Sequence, residues 1–160
     1  MNLKESILPL ELENVSFEAG GKRLIKDFFF TFRAGMRTTI IGPNGAGKSL
    51  LLRLCHGLIS PTSGSISWKG PGGDCPKLKQ AMVFQRPVML RRSAFDNIDF
   101  ALKVHKIKKI ERKKIVGNAL AIAGLKRFKN HPARLLSIGE QQKLALVRAW
   151  ALRPQVLFLD

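Results

Sequence analysis

Eight residues, Gly42-Pro43-Asn44-Gly45-Ala46-Gly47-Lys48-Ser49, carry the strongest chemical signal in the chain. They satisfy G-x-x-x-x-G-K-[ST] at every fixed position. Glycines let successive backbone N–H groups converge on an anion, and a helix opening just after them adds the positive end of its dipole. Gly45 and Gly47 admit a phosphate close to the backbone, Lys48 reaches β- and γ-phosphates, and the Ser49 hydroxyl suits Mg²⁺. The chemistry indicated is binding of a nucleoside triphosphate. A second acidic group fits it. The apolar run Val156-Leu157-Phe158-Leu159 closes on Asp160, an aspartate at a strand end where it would support Mg²⁺.

The elements that must position these groups follow from periodicity. Met36–Ile41 is predicted as the strand entering the glycine loop, and Leu50–Cys55 as the buried face of the helix leaving it. Leu10–Phe17 alternates as a strand, Gly20-Gly21 turns the chain, and Leu24-Ile25 and Phe28–Phe32 follow at hairpin distance, so these strands are expected to be antiparallel. Gly57 is a predicted helix stop, Ser60–Gly64 a turn, Ser65–Trp68 a short strand and Gly70–Gly73 a loop. Ala81–Phe84 reads as a buried strand ending in Gln85-Arg86-Pro87. Helical pattern follows, with stops expected near Gly117 and Gly124. Leu135–Glu140 then leads into a helix through Trp150, ended by Pro154.

At 160 residues and 45% hydrophobic content, one domain with an inserted subdomain is expected. Met1–Leu12 lacks the apolar core of a signal peptide, no stretch is long enough to cross a membrane, and Cys55 and Cys75 form neither a disulfide framework nor a zinc pattern. The expectation is a cytoplasmic chain. Net charge is +17, much of it in Lys103–Lys114, where Val104, Ile107, Ile110 and Ile115 share one side of a helical wheel. That pattern predicts an amphipathic surface helix. The charge by itself also suits an anionic partner, nucleic acid or the inner face of a membrane; no aromatic residues interleave with the lysines, so a base-stacking surface is not indicated. His56, His105 and His131 read as surface or helix-end residues.

Taken together, these residues resemble an ATP-binding cassette (ABC) ATPase, and the resemblance runs through nearly all of the chain. Pro61–Ile66 is similar to that family's turn before a strand, Phe84-Gln85 to its Q-loop, Leu136-Ser137-Ile138-Gly139-Glu140-Gln141-Gln142 to its signature, and Val156–Asp160 to its Walker B strand. The resemblance implies an α/β P-loop fold with an N-terminal antiparallel β subdomain, a parallel core sheet and a helical subdomain inserted at about residues 86–145. The core would be incomplete at the C-terminus. It implies ATP and Mg²⁺ as cofactors, with Gly42–Ser49 as the phosphate loop. Lys48, Gln85 and Asp160 would be catalytic, and Ser49, Gln85 and Asp160 would hold the metal. Ser137, Ile138, Gly139 and Glu140 would meet the ATP bound by a second ATPase subunit, most simply another copy. The remaining implied partner is a membrane permease, which would place the chain on the inner face of the cell membrane.

Three departures qualify the resemblance. Ile138 stands where the family has its first signature glycine, and a β-branched side chain there restricts the backbone. Ala19 stands where an aromatic stacks on adenine, with Phe17 nearby read as core. The family's glutamate after Walker B, its D-loop and its switch histidine would follow Asp160, so the 160 residues by themselves are expected to turn over ATP slowly. The leading reading is an importer ATPase; Gln85–Ser93 resembles importers for oxyanions such as tungstate, molybdate or phosphate. A nucleic-acid- or ribosome-associated ATPase and an ATP-binding fragment without turnover are the alternatives.

Overall fold

A computed structural model describes residues 6–73 and 76–160, so Cys75 and the first five residues of the Met1–Leu12 segment lie outside the described residues. The chain divides into two compact units, residues 1–80 with Asp160, and residues 81–159.

The first unit is built on an antiparallel sheet of β1 (Leu10–Ala19), β2 (Lys22–Phe32) and β3 (Ser63–Trp68) in the order β2-β1-β3. Leu10 pairs with Phe32 and with Trp68, and Ala19 with Lys22 across the predicted Gly20-Gly21 turn, where both glycines have positive φ. The antiparallel expectation holds. Leu24-Ile25 and Phe28–Phe32 are one strand, with a register shift between Val15 and Phe17. There the Asp27 N–H and the Ser16 hydroxyl bond reciprocally, Asp27 N–H to Ser16 Oγ at 2.9 Å and Ser16 Oγ–H to Asp27 Oδ1 at 3.1 Å. Leu10, Leu12 and Val15 point inward and are nearly fully buried. Helix α1 (Lys48–His56) buries Leu51, Leu54 and Cys55, and Gly57 ends it in a left-handed conformation whose N–H groups at 57 and 58 return to Leu54 and Arg53. Burial pushes the Cys55 thiol up to about 12, which makes it packing rather than chemistry.

One expectation fails in this unit. Met36–Ile41 is not a strand, and Ile41 is 90% exposed. A strand exists through its ladder of hydrogen bonds to a neighbour, and no described strand pairs with this segment.

The second unit holds all of β4 (Gln80–Val83) but its first residue, and β5 (Val156–Leu159), hydrogen-bonded neighbours joined by a long helical crossover of the kind parallel strands require. The crossover comprises α2 (Ala94–Val104), α3 (Lys109–Ile122) and α4 (Ile138–Trp150). Ile98 and Leu102 of α2, Val116 and Leu120 of α3, and Leu144 of α4 form a shared core with Met89 and Leu125. Gly124 ends α3 with φ 68°, as predicted, but Gly117 does not stop the helix: it sits inside α3. A single glycine costs a helix only about 1 kcal/mol, which the burial of Val116, Ala119 and Leu120 outweighs.

The predicted amphipathic helix over Lys103–Lys114 is also corrected. The chain breaks between α2 and α3, with Lys106 at φ 59°, and the aliphatic residues part company: Ile107 and Ile115 pack on the core, whereas Ile110 is 88% exposed. Arg112 closes the break, donating to Asp99 at 2.7 Å and to the Ile107 carbonyl at 3.0 Å. Among the described residues no helix is long and apolar enough to cross a membrane.

Candidate functional site

The glycine loop turns directly into α1. Gly45 and Gly47 have φ of 84° and 85°, a region closed to most side chains. At Gly47 a Cβ would also stand 3.2 Å from the Leu24 carbonyl oxygen, a tight approach to backbone. Gly47 is the residue that caps α1, yet it offers no side-chain acceptor to the helix's first N–H groups, and the first turn holds no acidic residue. These amides are therefore open to an anionic ligand. The Lys48 ammonium lies over the loop, donating to the Gly42 and Pro43 carbonyls, each at 2.8 Å. Pro43, Asn44 and Ala46 complete the turn through an Ala46 N–H to Pro43 carbonyl bond of 3.2 Å.

A bond between residues far apart in the chain brings two of the sequence-derived residues together. Ser49 Oγ donates to Asp160 Oδ1 at 2.5 Å, across 111 residues of chain. A hydroxyl and a carboxylate side by side at the mouth of a phosphate loop are hard oxygen donors. Mg²⁺ prefers such donors: it takes one or two from the protein and fills its octahedron with phosphate oxygens and water. The residues fit that ion. Among the described residues no cluster of three or more His, Cys, Asp or Glu could hold a metal. When bound, Mg²⁺ would neutralise charge on the β- and γ-phosphates. Ala19, at the end of β1, is exposed, and Phe17 is half-buried opposite Ile25.

The other sequence-derived residues lie in the second unit. Gln85 is exposed, immediately beyond β4. Ser137 caps α4 with a closed box: its Oγ accepts the Glu140 N–H at 3.3 Å, while Glu140 Oε2 accepts the Ser137 N–H at 2.9 Å and its hydroxyl at 2.7 Å. These bonds hold the Glu140 carboxyl below its usual range. Ile138 is 76% exposed, and nothing lies within 4 Å of where a Gly139 side chain would begin.

Reading by motif misses a polar cluster beside these residues. Asn97 is completely buried in α2, and Arg148, on α4, is half-buried with its pKa lowered by desolvation. The signal is in the sequence: Asn97 falls on the apolar face formed by Ala94, Ile98 and Leu102, and Arg148 lies between the buried Val147 and Ala149.

Comparison with known proteins identifies the family of the chain. The ABC transporter family matches residues 25–160. The tungstate uptake system ATP-binding protein TupC of Peptoclostridium acidaminophilum is 35% identical over 153 residues, covering 96% of this chain and 72% of that protein. The taurine import ATP-binding protein TauB of Pelagibacter ubique is 36% identical over 137 residues, covering 85% of this chain and 52% of that protein, so the chain spans only about half of that relative. A dimeric ATP-binding cassette in a post-hydrolysis state, bound to ADP and Pi, superposes with a TM-score of 0.82 at 27% identity, covering 94% of this chain and 73% of that one.

Proposed function

The chain belongs to the ABC transporter family, and from that premise we propose that it is the nucleotide-binding part of an ATPase that energises an importer through a membrane permease. The observation that carries the reading is the Ser49–Asp160 contact at the entrance to the Gly42–Ser49 loop, because it joins the phosphate cradle to a metal-supporting carboxylate. In this reading the loop amides and Lys48 bind the β- and γ-phosphates, and Ser49 and Asp160 hold Mg²⁺. Gln85 reaches the metal or the attacking water. Ser137, Ile138, Gly139 and Glu140 contact the nucleotide of a second copy. The helical subdomain, about residues 86–145, with Gln85 at its edge, faces the permease on the inner side of the cell membrane.

An oxyanion is the proposed cargo of the assembled transporter, supported by the similarity to the tungstate protein and by the Gln85–Ser93 segment. The test of nucleotide use is a titration of the chain with a fluorescent ATP analogue with and without Mg²⁺. Saturable, Mg²⁺-strengthened binding is expected; affinity indifferent to Mg²⁺ would remove Ser49 and Asp160 from the site. Cargo is tested by reconstituting the transporter with its permease and solute-binding protein. Tungstate, molybdate or phosphate should stimulate phosphate release. Stimulation by taurine or ferric ion alone would replace the oxyanion assignment.

A further inference from the structure

The segment from Val88 to Arg92, between the Gln85 corner and α2, is held mainly by side chains from elsewhere in its unit. Arg148, near the end of α4, donates through Nη2 to the Val88 carbonyl at 3.1 Å. Arg134, three residues ahead of Ser137, donates through Nε to the next carbonyl, that of Met89, also at 3.1 Å. Asn97 takes the rest of the loop. Its Oδ1 accepts the Leu90 N–H at 3.0 Å and Arg148 Nη1 at 3.3 Å, and its Nδ2 donates to the Ser93, Arg92 and Leu90 carbonyls at 2.9, 3.3 and 3.4 Å.

Two guanidinium groups, Arg134 from the short turn Ala133–Leu135 ahead of α4 and Arg148 from the last turns of α4 itself, thus grip consecutive carbonyls. Near the start of the helix the chain of contacts continues: Gln141 Nε2 donates to the Arg134 carbonyl at 3.3 Å and to the Leu136 carbonyl at 2.8 Å, either side of the turn that leads to Ser137. The Ala133 N–H also donates to the Arg92 carbonyl at 2.9 Å. Arg148 makes neither of the described ion pairs, which are Arg23–Glu18 and Arg112–Asp99. A charged side chain desolvated without a carboxylate is not explained by stability, for which an apolar residue serves as well. A planar fork that fixes two acceptors in set directions explains it. On the outer side of the loop, Val88 is 69% exposed and Arg91 is exposed, while Met89 anchors the segment in the core.

We propose that Arg134, Asn97 and Arg148 are positioning residues that make the exposed 88–92 loop and helix α4 one lever, so that a load placed on Val88 and Arg91 is delivered at Ser137. The use of that lever, reporting a permease contact to the residues that meet nucleotide, rests on the function proposed above. The lever itself does not.

Hydrogen exchange on the full chain tests it, with Arg134→Met and Arg148→Met combined and Arg148→Lys as the conservative variant. In the double variant the Leu90 amide and the Gln141 amide, which closes the first turn of α4 on the Ser137 carbonyl at 2.8 Å, should both exchange about tenfold faster, the size expected for losing a charged hydrogen bond. Amides of Val116–Leu120 in α3 should be unchanged, and Arg148→Lys should recover part of the protection. Faster exchange at Leu90 alone would reduce the arginines to a loop pin, and equal acceleration in α3 would mean general loosening; either overturns the proposal. A second readout is phosphate release: kcat should fall while KM and the Kd for ATP stay at wild-type values, and a matching rise in KM would overturn the lever. A wild-type chain that binds no ATP would sink the proposed function and leave the exchange experiment to decide the lever.

Discussion

Two helices in this molecule begin in opposite ways. Helix α1 starts from a left-handed Gly47 with no side-chain cap and no acid in its first turn; α4 starts from Ser137 in a closed capping box with Glu140. Both ends carry the same unpaired N–H groups and the same partial positive charge. At α4 the chain satisfies them itself, with a hydroxyl and a carboxylate. At α1 no side chain caps the first N–H groups, and Lys48 lies on top. The lesson is that a helix end is left open to a ligand by what the sequence leaves out as much as by what it supplies.

The comparison breaks most sharply at Lys48. Lys48→Ala should weaken ATP binding about 100-fold, since a charge-assisted contact to phosphate is worth up to about 3 kcal/mol, while thermal stability barely changes. Fluorescence titration beside a melting curve decides it. Equal affinity in mutant and wild type would mean that the open end of α1 is not where phosphate binds.

Asp160→Asn is expected to have the next largest effect. It keeps a partner for the Ser49 hydroxyl but removes the charge, so the gain in ATP affinity on adding Mg²⁺ should shrink roughly tenfold while Mg²⁺-free binding is unchanged or slightly tighter. An unaltered Mg²⁺ response would detach the carboxylate from the metal.

Ser137→Ala attacks the closed end. Loss of the cap should cost about 1 kcal/mol of stability, seen as a lower Tm or denaturant midpoint, with no change in ATP affinity measured on the monomeric chain, where Ser137 faces no second copy's nucleotide. If nucleotide affinity fell instead, the self-satisfied and open ends would not be separate in function.

The smallest effect concerns pH. Because the Ser137 bonds lower the Glu140 pKa, its contribution to stability is complete above the ordinary carboxylate range and is lost as pH falls through the lowered folded value. Glu140→Gln should therefore be less stable than wild type at neutral pH, and the gap should close in acid. Melting temperatures of the two chains from pH 7 to pH 3 give the answer; a gap independent of pH would mean that the carboxylate charge contributes nothing to the cap.

Local chemistry made much of this legible in the sequence. Gly47 at φ 85° sits where glycine is strongly favoured, Gly57 and Gly124 end helices in the same left-handed region, and Ser137 with Glu140 three residues later carries the capping-box signal of a helix start. Such signals need only neighbours within a few residues. The family resemblance was legible for the same reason, since the phosphate loop and the signature are each contiguous.

Only the tertiary structure decided the rest, and each instance turns on a partner distant in sequence. Met36–Ile41 has the composition of a strand, but a strand is defined by what it pairs with, and no described strand pairs with it. Lys103–Lys114 has helical periodicity, but the Arg112 bridge to Asp99 and the Ile107 carbonyl stabilises a break that places Ile107 inside and Ile110 outside. Ser49 and Asp160 are read separately as metal ligands; that they touch depends on 111 residues of intervening fold. Asn97 and Arg148 belong to no contiguous motif, and their meaning comes from the loop carbonyls folded onto them. Sequence spacing specifies groups a helical turn apart, because the backbone fixes their geometry; groups further apart meet only when packing brings their elements together.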